Sequence, residues 1–112
     1  MEVDMPVPDV IVRYLDAHDR HDIDATLETF TPTAIVDDDG KKWSGTREIR
    51  DWLSKTATEY EFVRTLLGAD AEPESRWVVR NRLEGNFPGN VVELSYRFAL
   101  DGDHIAALTI AP

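Results

Sequence analysis

The stretch Val92-Glu93-Leu94-Ser95-Tyr96-Arg97-Phe98-Ala99-Leu100 places Val92, Leu94, Tyr96, Phe98 and Leu100 on one side of an extended chain. Glu93, Ser95 and Arg97 fall on the other. A period of two is the signature of a strand with one buried face. Asp101-Gly102 follows at once, a two-residue hairpin signal, so His104 to Ile110 is predicted to return alongside. Upstream the same period holds: Trp77, Val79 and Leu83 alternate with Val78, Arg80, Arg82 and Glu84. Phe87-Pro88-Gly89-Asn90 and Glu72-Pro73-Glu74-Ser75 are the turns that bound this strand, and Tyr60 to Leu67 reads as one more. The second half of the chain is therefore a run of antiparallel strands.

The first half has a different period. Pro8 suits a first helical turn, because its missing N–H has no intrahelical partner there. Val10, Ile11, Tyr14, Leu15 and His18 then recur at helical spacing and make one face. Asp24 is the expected cap of a short second helix carrying Leu27 and Phe30, which Pro32 closes. Ala34 to Asp38 alternates as a short strand and Asp39-Gly40 turns the chain. Thr46 is the expected cap of a third helix, whose Ile49, Trp52, Leu53, Thr56 and Ala57 share a face. Helices followed by antiparallel strands give an α+β domain. A curved sheet wrapped over its helices leaves a cavity between the layers.

A length of 112 residues fits a single domain spanning 1–112, with one core. The acidic start, Met1-Glu2-Val3-Asp4, has no apolar run, and no stretch reaches the length of a membrane span, so a cytoplasmic protein is expected. With no cysteine, disulfides, zinc–thiolate sites and thiol nucleophiles are excluded. A formal charge of −10 argues against nucleic acid as a partner, since phosphate binding draws on basic patches. No GxSxG, phosphate-binding loop or dinucleotide fingerprint occurs, and no cofactor is expected. The run Asp37-Asp38-Asp39-Gly40 is not a calcium loop. Counted from Asp37, Glu48 falls at the twelfth position, but Lys41 takes a ligand place and Lys42 the place of the required glycine.

Several segments together carry a resemblance: Val12-Arg13-Tyr14-Leu15, His21-Asp22-Ile23-Asp24 leading to Phe30, Ala34-Ile35-Val36-Asp37-Asp38, Gly45-Thr46-Arg47-Glu48-Ile49-Arg50, and Tyr96-Arg97-Phe98 before a glycine turn. In this order, from about Asp9 to Ile110, the chain resembles the nuclear transport factor 2-like superfamily, and within it the SnoaL-like and ketosteroid-isomerase-like branches. The resemblance implies a cone-shaped, cystatin-like fold: a curved antiparallel sheet wrapped over three N-terminal helices. It also implies roles. Tyr14 stands where ketosteroid isomerases carry a hydrogen-bond-donating tyrosine, and Asp38 where they carry the base. Leu94 stands where they carry a protonated acid, and leucine donates nothing, so the third member is missing.

The residues themselves support part of this. If Ala34 and Val36 face the core, Asp38 faces inward too, while Asp37 and Asp39 face out. A carboxylate in an apolar cavity is equipped to take a proton from carbon next to a carbonyl, and a buried phenol to donate to the oxyanion that forms. Tyr14 is equally readable as a core tyrosine, and Asp38 as part of a solvated turn. His18 lies one turn beyond Tyr14 and reads as a polar group at the pocket mouth. With His21 and Asp22 it lacks a third metal ligand of motif spacing, so no metal is expected. The apolar residues expected to line the cavity are Phe30, Val36, Trp43, Trp52, Phe62, Trp77, Leu94 and Tyr96, with Trp43 nearest the entrance.

Three functions follow. The first is a cofactor-free isomerase or aldol-type cyclase acting on a small apolar carbonyl compound, with Asp38 as base, Tyr14 as donor and His18 as helper. The second is a non-catalytic binder of a hydrophobic metabolite. The third is an interaction module with an incidental cavity. In each case a homodimer is expected through the sheet face carrying Val78, Arg80, Arg82, Glu93 and Arg97.

Overall fold

The computed structural model describes residues 7–59 and 61–112, so the start expected at Tyr60 and the acidic N-terminus lie outside the described residues. The elements run α1 (Asp9–Asp19), α2 (Ile23–Leu27), β1 (Phe30–Asp38), β2 (Lys41–Ser44), α3 (Gly45–Glu59), β3 (Phe62–Glu72), β4 (Arg76–Gly85), β5 (Val91–Asp101) and β6 (His104–Ala111). The six strands form one sheet in the order β2-β1-β6-β5-β4-β3, and the three helices pack over one of its faces. Pairing is antiparallel at every junction except β1 with β6, which is parallel. A hairpin with β2 occupies one edge of β1. The meander from β3 to β6 then returns to the other edge running in the same direction. None of the described helices is long and apolar enough to cross a membrane.

Local chemistry explains where elements start, and corrects several boundaries. Asp22, not Asp24, caps α2: its Oδ1 accepts from the Ala25 N–H at 3.1 Å. The helix ends at Leu27, so Phe30 opens β1 and Pro32 lies inside that strand, where the register with β6 shifts between Phe30 and Ile35. Helix α3 starts at Gly45, and its first turn is tied by Glu48, whose carboxylate accepts from the Ser44 N–H at 2.7 Å; Thr46 is not the cap. Strand β2 had no sequence signal beyond Trp43. It exists because Asp39 (φ 54°) and Gly40 (φ 88°) make a two-residue turn that sets Asp38 opposite Lys41.

The core lies between the helices and the covered sheet face. Tyr14, Ile11 and Ile49 from the helices meet Val36, Val79, Phe98, Ile105 and Leu108 from the strands, all almost wholly buried. Inward residues of β4 and β5 stand in paired rows: Leu83 opposite Val92, Asn81 opposite Leu94, Val79 opposite Tyr96, Trp77 opposite Phe98. Gly85 is needed where β4 meets the start of β3. A Cβ there would overlap the Glu61 carbonyl and crowd Phe62.

Candidate functional site

A cavity of about 290 Å³ opens between α3, the end of α1 and the inner faces of β3, β4 and β5. Its wall is formed by His18, Asp38, Trp52, Thr56, Phe62, Leu83, Phe87, Val92, Leu94, Tyr96 and Ile110. Each polar member arrives there for a local reason. Asp38 is the last residue of β1, and the strand alternation that buries Ala34 and Val36 turns it inward. Trp52 lies on the buried face of α3 and donates its indole N–H to Asp38 Oδ2 at 2.9 Å. That bond fixes one carboxyl oxygen against a mainly apolar wall.

His18, one helical turn beyond Tyr14, is enclosed by aromatic rings. Its centroid stands 5.6 Å from Tyr14, 6.1 Å from Trp52 and 6.4 Å from Phe62, with the rings within about 30° of parallel. Burial lowers its pKa from 6.5 to about 4; Asp19 opposes the shift, while His21 and Arg64 add to it. The imidazole is therefore neutral near pH 7, with one nitrogen to donate and one to accept. The Tyr96 phenol is likewise held above its ordinary pKa by burial and stays protonated.

Of the three catalytic expectations, Asp38 and His18 line the cavity and Tyr14 does not. Tyr14 is wholly buried, edge-on to Phe30 (5.7 Å) and Phe98 (5.6 Å), and its hydroxyl has no hydrogen-bond partner. Burial raises its pKa well above 10; the neighbouring Tyr96, Asp38 and Asp19 act in the same direction and Arg64 opposes it. Among the apolar expectations, Trp52, Phe62, Leu94 and Tyr96 line the cavity. Phe30 and Val36 are instead core residues packed under the helices. Trp77 sits opposite Phe98, beyond the Tyr96 row and away from the cavity. Trp43 is not at the entrance. It pairs with Val36 on the β2 edge, where the Lys41 ammonium lies 4.7 Å from its ring centroid.

Sequence reasoning missed a polar group on the covered sheet face, outside the cavity lining. Arg64 on β3 points inward, grips Asp19 of α1 through Nε (3.0 Å) and Nη2 (2.7 Å), and donates from Nη1 to Asn81 Oδ1 at 2.9 Å. The signal was present: Asn81 has the parity of Val79 and Leu83, and Arg64 that of Phe62. No group of three or more His, Asp or Glu side chains placed to hold a metal occurs among the described residues.

Comparison with known proteins agrees with this architecture. Among solved structures, the chain is similar to a proposed polyketide cyclase from Sinorhizobium meliloti, with 33% identity, 94% of this chain and 95% of that one covered, and a TM-score of 0.88. A proposed polyketide cyclase from Pseudomonas putida is 17% identical, covering 97% and 92% of the two chains, with a TM-score of 0.82. A protein of ketosteroid isomerase-like fold from Catenulispora acidiphila, in complex with trimethylamine, is 16% identical over 97% and 87%, with a TM-score of 0.83. No curated protein matches. Residues 11–107 match the SnoaL-like domain, and the chain belongs to that family, within the nuclear transport factor 2-like fold.

Proposed function

We propose that the cavity binds a small apolar carbonyl compound and that Asp38 removes a proton from the carbon beside the carbonyl. The observation that carries this reading is the Asp38 carboxylate, set in an apolar wall and held by the Trp52 indole at 2.9 Å. The C–H electron pair moves into the enolate, and the proton passes to Asp38. The neutral His18 imidazole and the Tyr96 phenol, both on the wall, are donors available to the oxygen that gains charge. If the proton returns to a different carbon, the result is isomerisation. If the enolate carbon attacks a second carbonyl carbon of the same molecule, that C=O π pair becomes an alkoxide that takes the proton back from Asp38, and the result is an aldol-type ring closure. The likeness to a proposed polyketide cyclase at 33% identity favours the second outcome. Both routes are cofactor-free and fit a cytoplasmic protein acting as a homodimer.

The test is a thermal-shift screen of steroids, polyketides and terpenoids, followed by an α-proton exchange assay on each stabilising compound. Asp38→Asn keeps the shape of the side chain and removes the base, so exchange should fall by about 10²–10⁴ while the melting temperature holds. Exchange that proceeds unchanged in Asp38→Asn sinks the proposal. A compound that stabilises the protein without exchange would make the cavity a binding site for a hydrophobic metabolite instead.

A further inference from the structure

The cavity has two ends, and the strand register measures the distance between them. Ile110 of β6 pairs with Asp38 of β1 on one side and with Tyr96 of β5 on the other, so these three make one row across the sheet. All three line the cavity. The next lining positions along β5 are Leu94 and then Val92, which stands opposite Leu83 of β4. From Tyr96 to Val92 an antiparallel strand advances about 14 Å. The wall therefore runs from the row that holds the carboxyl group to the turn between β4 and β5.

That turn supplies Phe87, which among the described residues is the one member of the lining outside the helices and strands. Phe87 is half-buried between exposed Asn86 and Pro88. Its place is fixed by bonds that do not use its side chain. The Gly85 N–H donates to Asn90 O at 2.9 Å and the Asn90 N–H to Phe87 O at 3.0 Å, while Asn90 Nδ2 donates to Gly85 O at 3.1 Å. Asn86 ties the turn to the residue before β3: its N–H donates to Glu61 O at 3.1 Å, and its Oδ1 accepts from the Glu61 N–H at 2.9 Å. The next residue, Phe62, is also on the wall, so the turn and the start of β3 are locked together around this end of the cavity.

We propose that Phe87 is a specificity-determining residue: its ring ends the cavity opposite Asp38 and limits how far the apolar body of a substrate extends from the reacting carbonyl. The substrate class is a flat, apolar ketone with its carbonyl at one end. At about 290 Å³ the cavity is at the small end of small-molecule sites, so an overlong ligand meets the Phe87 ring rather than spare room. This rests on the carbonyl reading of the same site, which places the reacting end of the substrate at Asp38.

The probes are acetophenone, 2-acetylnaphthalene and 2-acetylanthracene, a rigid series that grows by one fused ring at a time and keeps exchangeable acetyl protons. The matching isopropylarenes keep the shapes and lack the carbonyl. In equilibrium dialysis the wild type should bind the two-ring ketone about tenfold more tightly than the three-ring one, the usual scale for overfilling a packed site. Phe87→Ala should cut that preference to about twofold or less, and Phe87→Trp should move it from two rings to one. The proposal is overturned if all three proteins share one ring preference, or if Phe87→Ala weakens every ketone by the same factor. A Phe87-dependent ring preference in both series without Asp38-dependent proton exchange would keep the length limit and sink the carbonyl reading. Asp38-dependent exchange with a ring preference indifferent to Phe87 would do the reverse.

Discussion

Along β4, neighbouring residues meet opposite environments. On the outer face Arg82 reaches Glu93 across the ladder at 3.4 Å, Arg80 reaches Asp70 at 2.8 Å and Arg97 reaches Glu72 at 4.0 Å. All six side chains keep between 42% and 67% of their surface accessible. On the covered face, between Arg80 and Arg82, Asn81 is wholly buried with one amide atom unpartnered. The same strand therefore carries abundant charge that water screens on one side, and sparse polarity at high energetic stakes on the other. Arg82 and Glu93 stand directly opposite in register, Arg80 meets Asp70 diagonally, and Arg97 of β5 reaches Glu72 of β3 past β4, so the fold is nearly indifferent to any one of these exposed pairs. A few polar groups set into an aromatic wall are where small changes should register.

The sharpest way to break that contrast is through the packing that supports the covered face. Phe98 is 2% exposed and edge-on to Tyr14 at 5.6 Å. Phe98→Ala should cost about 3–5 kcal/mol in urea unfolding, the usual range for emptying a buried aromatic site. A loss below about 1 kcal/mol would mean that the covered face is loosely packed, and the asymmetry between faces would collapse.

Acid sharpens it further, with a smaller effect. His18 titrates at about 4 in the folded protein and near 6.5 when unfolded. Between those values the unfolded chain binds a proton that the folded chain does not, so stability falls as pH drops through the window. The shift corresponds to about 3 kcal/mol, fully present above pH 6.5 and lost as pH approaches 4. His18→Phe keeps a flat ring among Tyr14, Trp52 and Phe62 and removes the titration. Its unfolding free energy should decline less steeply than that of the wild type from pH 6.5 to 4. Equal slopes would place the His18 ring in contact with water rather than in the wall.

Legibility in the sequence followed the same division. The period of two from Val92 to Leu100 and the turn at Phe87-Pro88-Gly89-Asn90 correspond to a strand and its connection in the fold, because local alternation and turn chemistry act over a few residues. The hairpin signalled by Asp101-Gly102 forms one residue later, with Gly102-Asp103 as its turn and Asp101 paired with His104. Asp38 was readable as inward from parity alone. Strand β2 was not, since Lys41-Lys42-Trp43-Ser44 has no alternation of its own and is a strand because the Asp39–Gly40 turn delivers it to β1. Bulk alone predicts Trp43 and Trp77 at the cavity, yet their places depend on which row of the sheet faces which helix, a long-range fact. Tyr14 was placed on the right face of α1, but the depth that hides its hydroxyl is set by Phe30 and Phe98, which arrive from distant strands. Arg64 and Asn81 have the parity of inward residues, yet polar residues on a buried face go against the expected pattern, and such breaks are where function tends to lie.

The outer face supplies the smallest predicted effect and the finest test. Arg82 and Glu93 stand directly opposite each other in the β4–β5 register, 42% and 62% exposed. An exposed pair of this kind contributes about 0.2–1 kcal/mol, and salt screens it within a Debye length of about 8 Å at physiological ionic strength. Arg82→Ala should therefore lower the unfolding free energy by less than about 1 kcal/mol at low salt, and by nothing measurable at 1 M salt, where the screening length is about 3 Å. Repeating the melt over a hundredfold range of protein concentration adds a second reading. A face that meets only water gives a melting temperature independent of concentration. A two-fold interface built on these strands gives one that rises with concentration, together with an Arg82→Ala penalty well above the limit for an exposed pair, because the arginine would then be removed from a desolvated contact. In that case the outer face would hold costly charge as well, and the division between the two sides of β4 would be a property of the isolated chain alone.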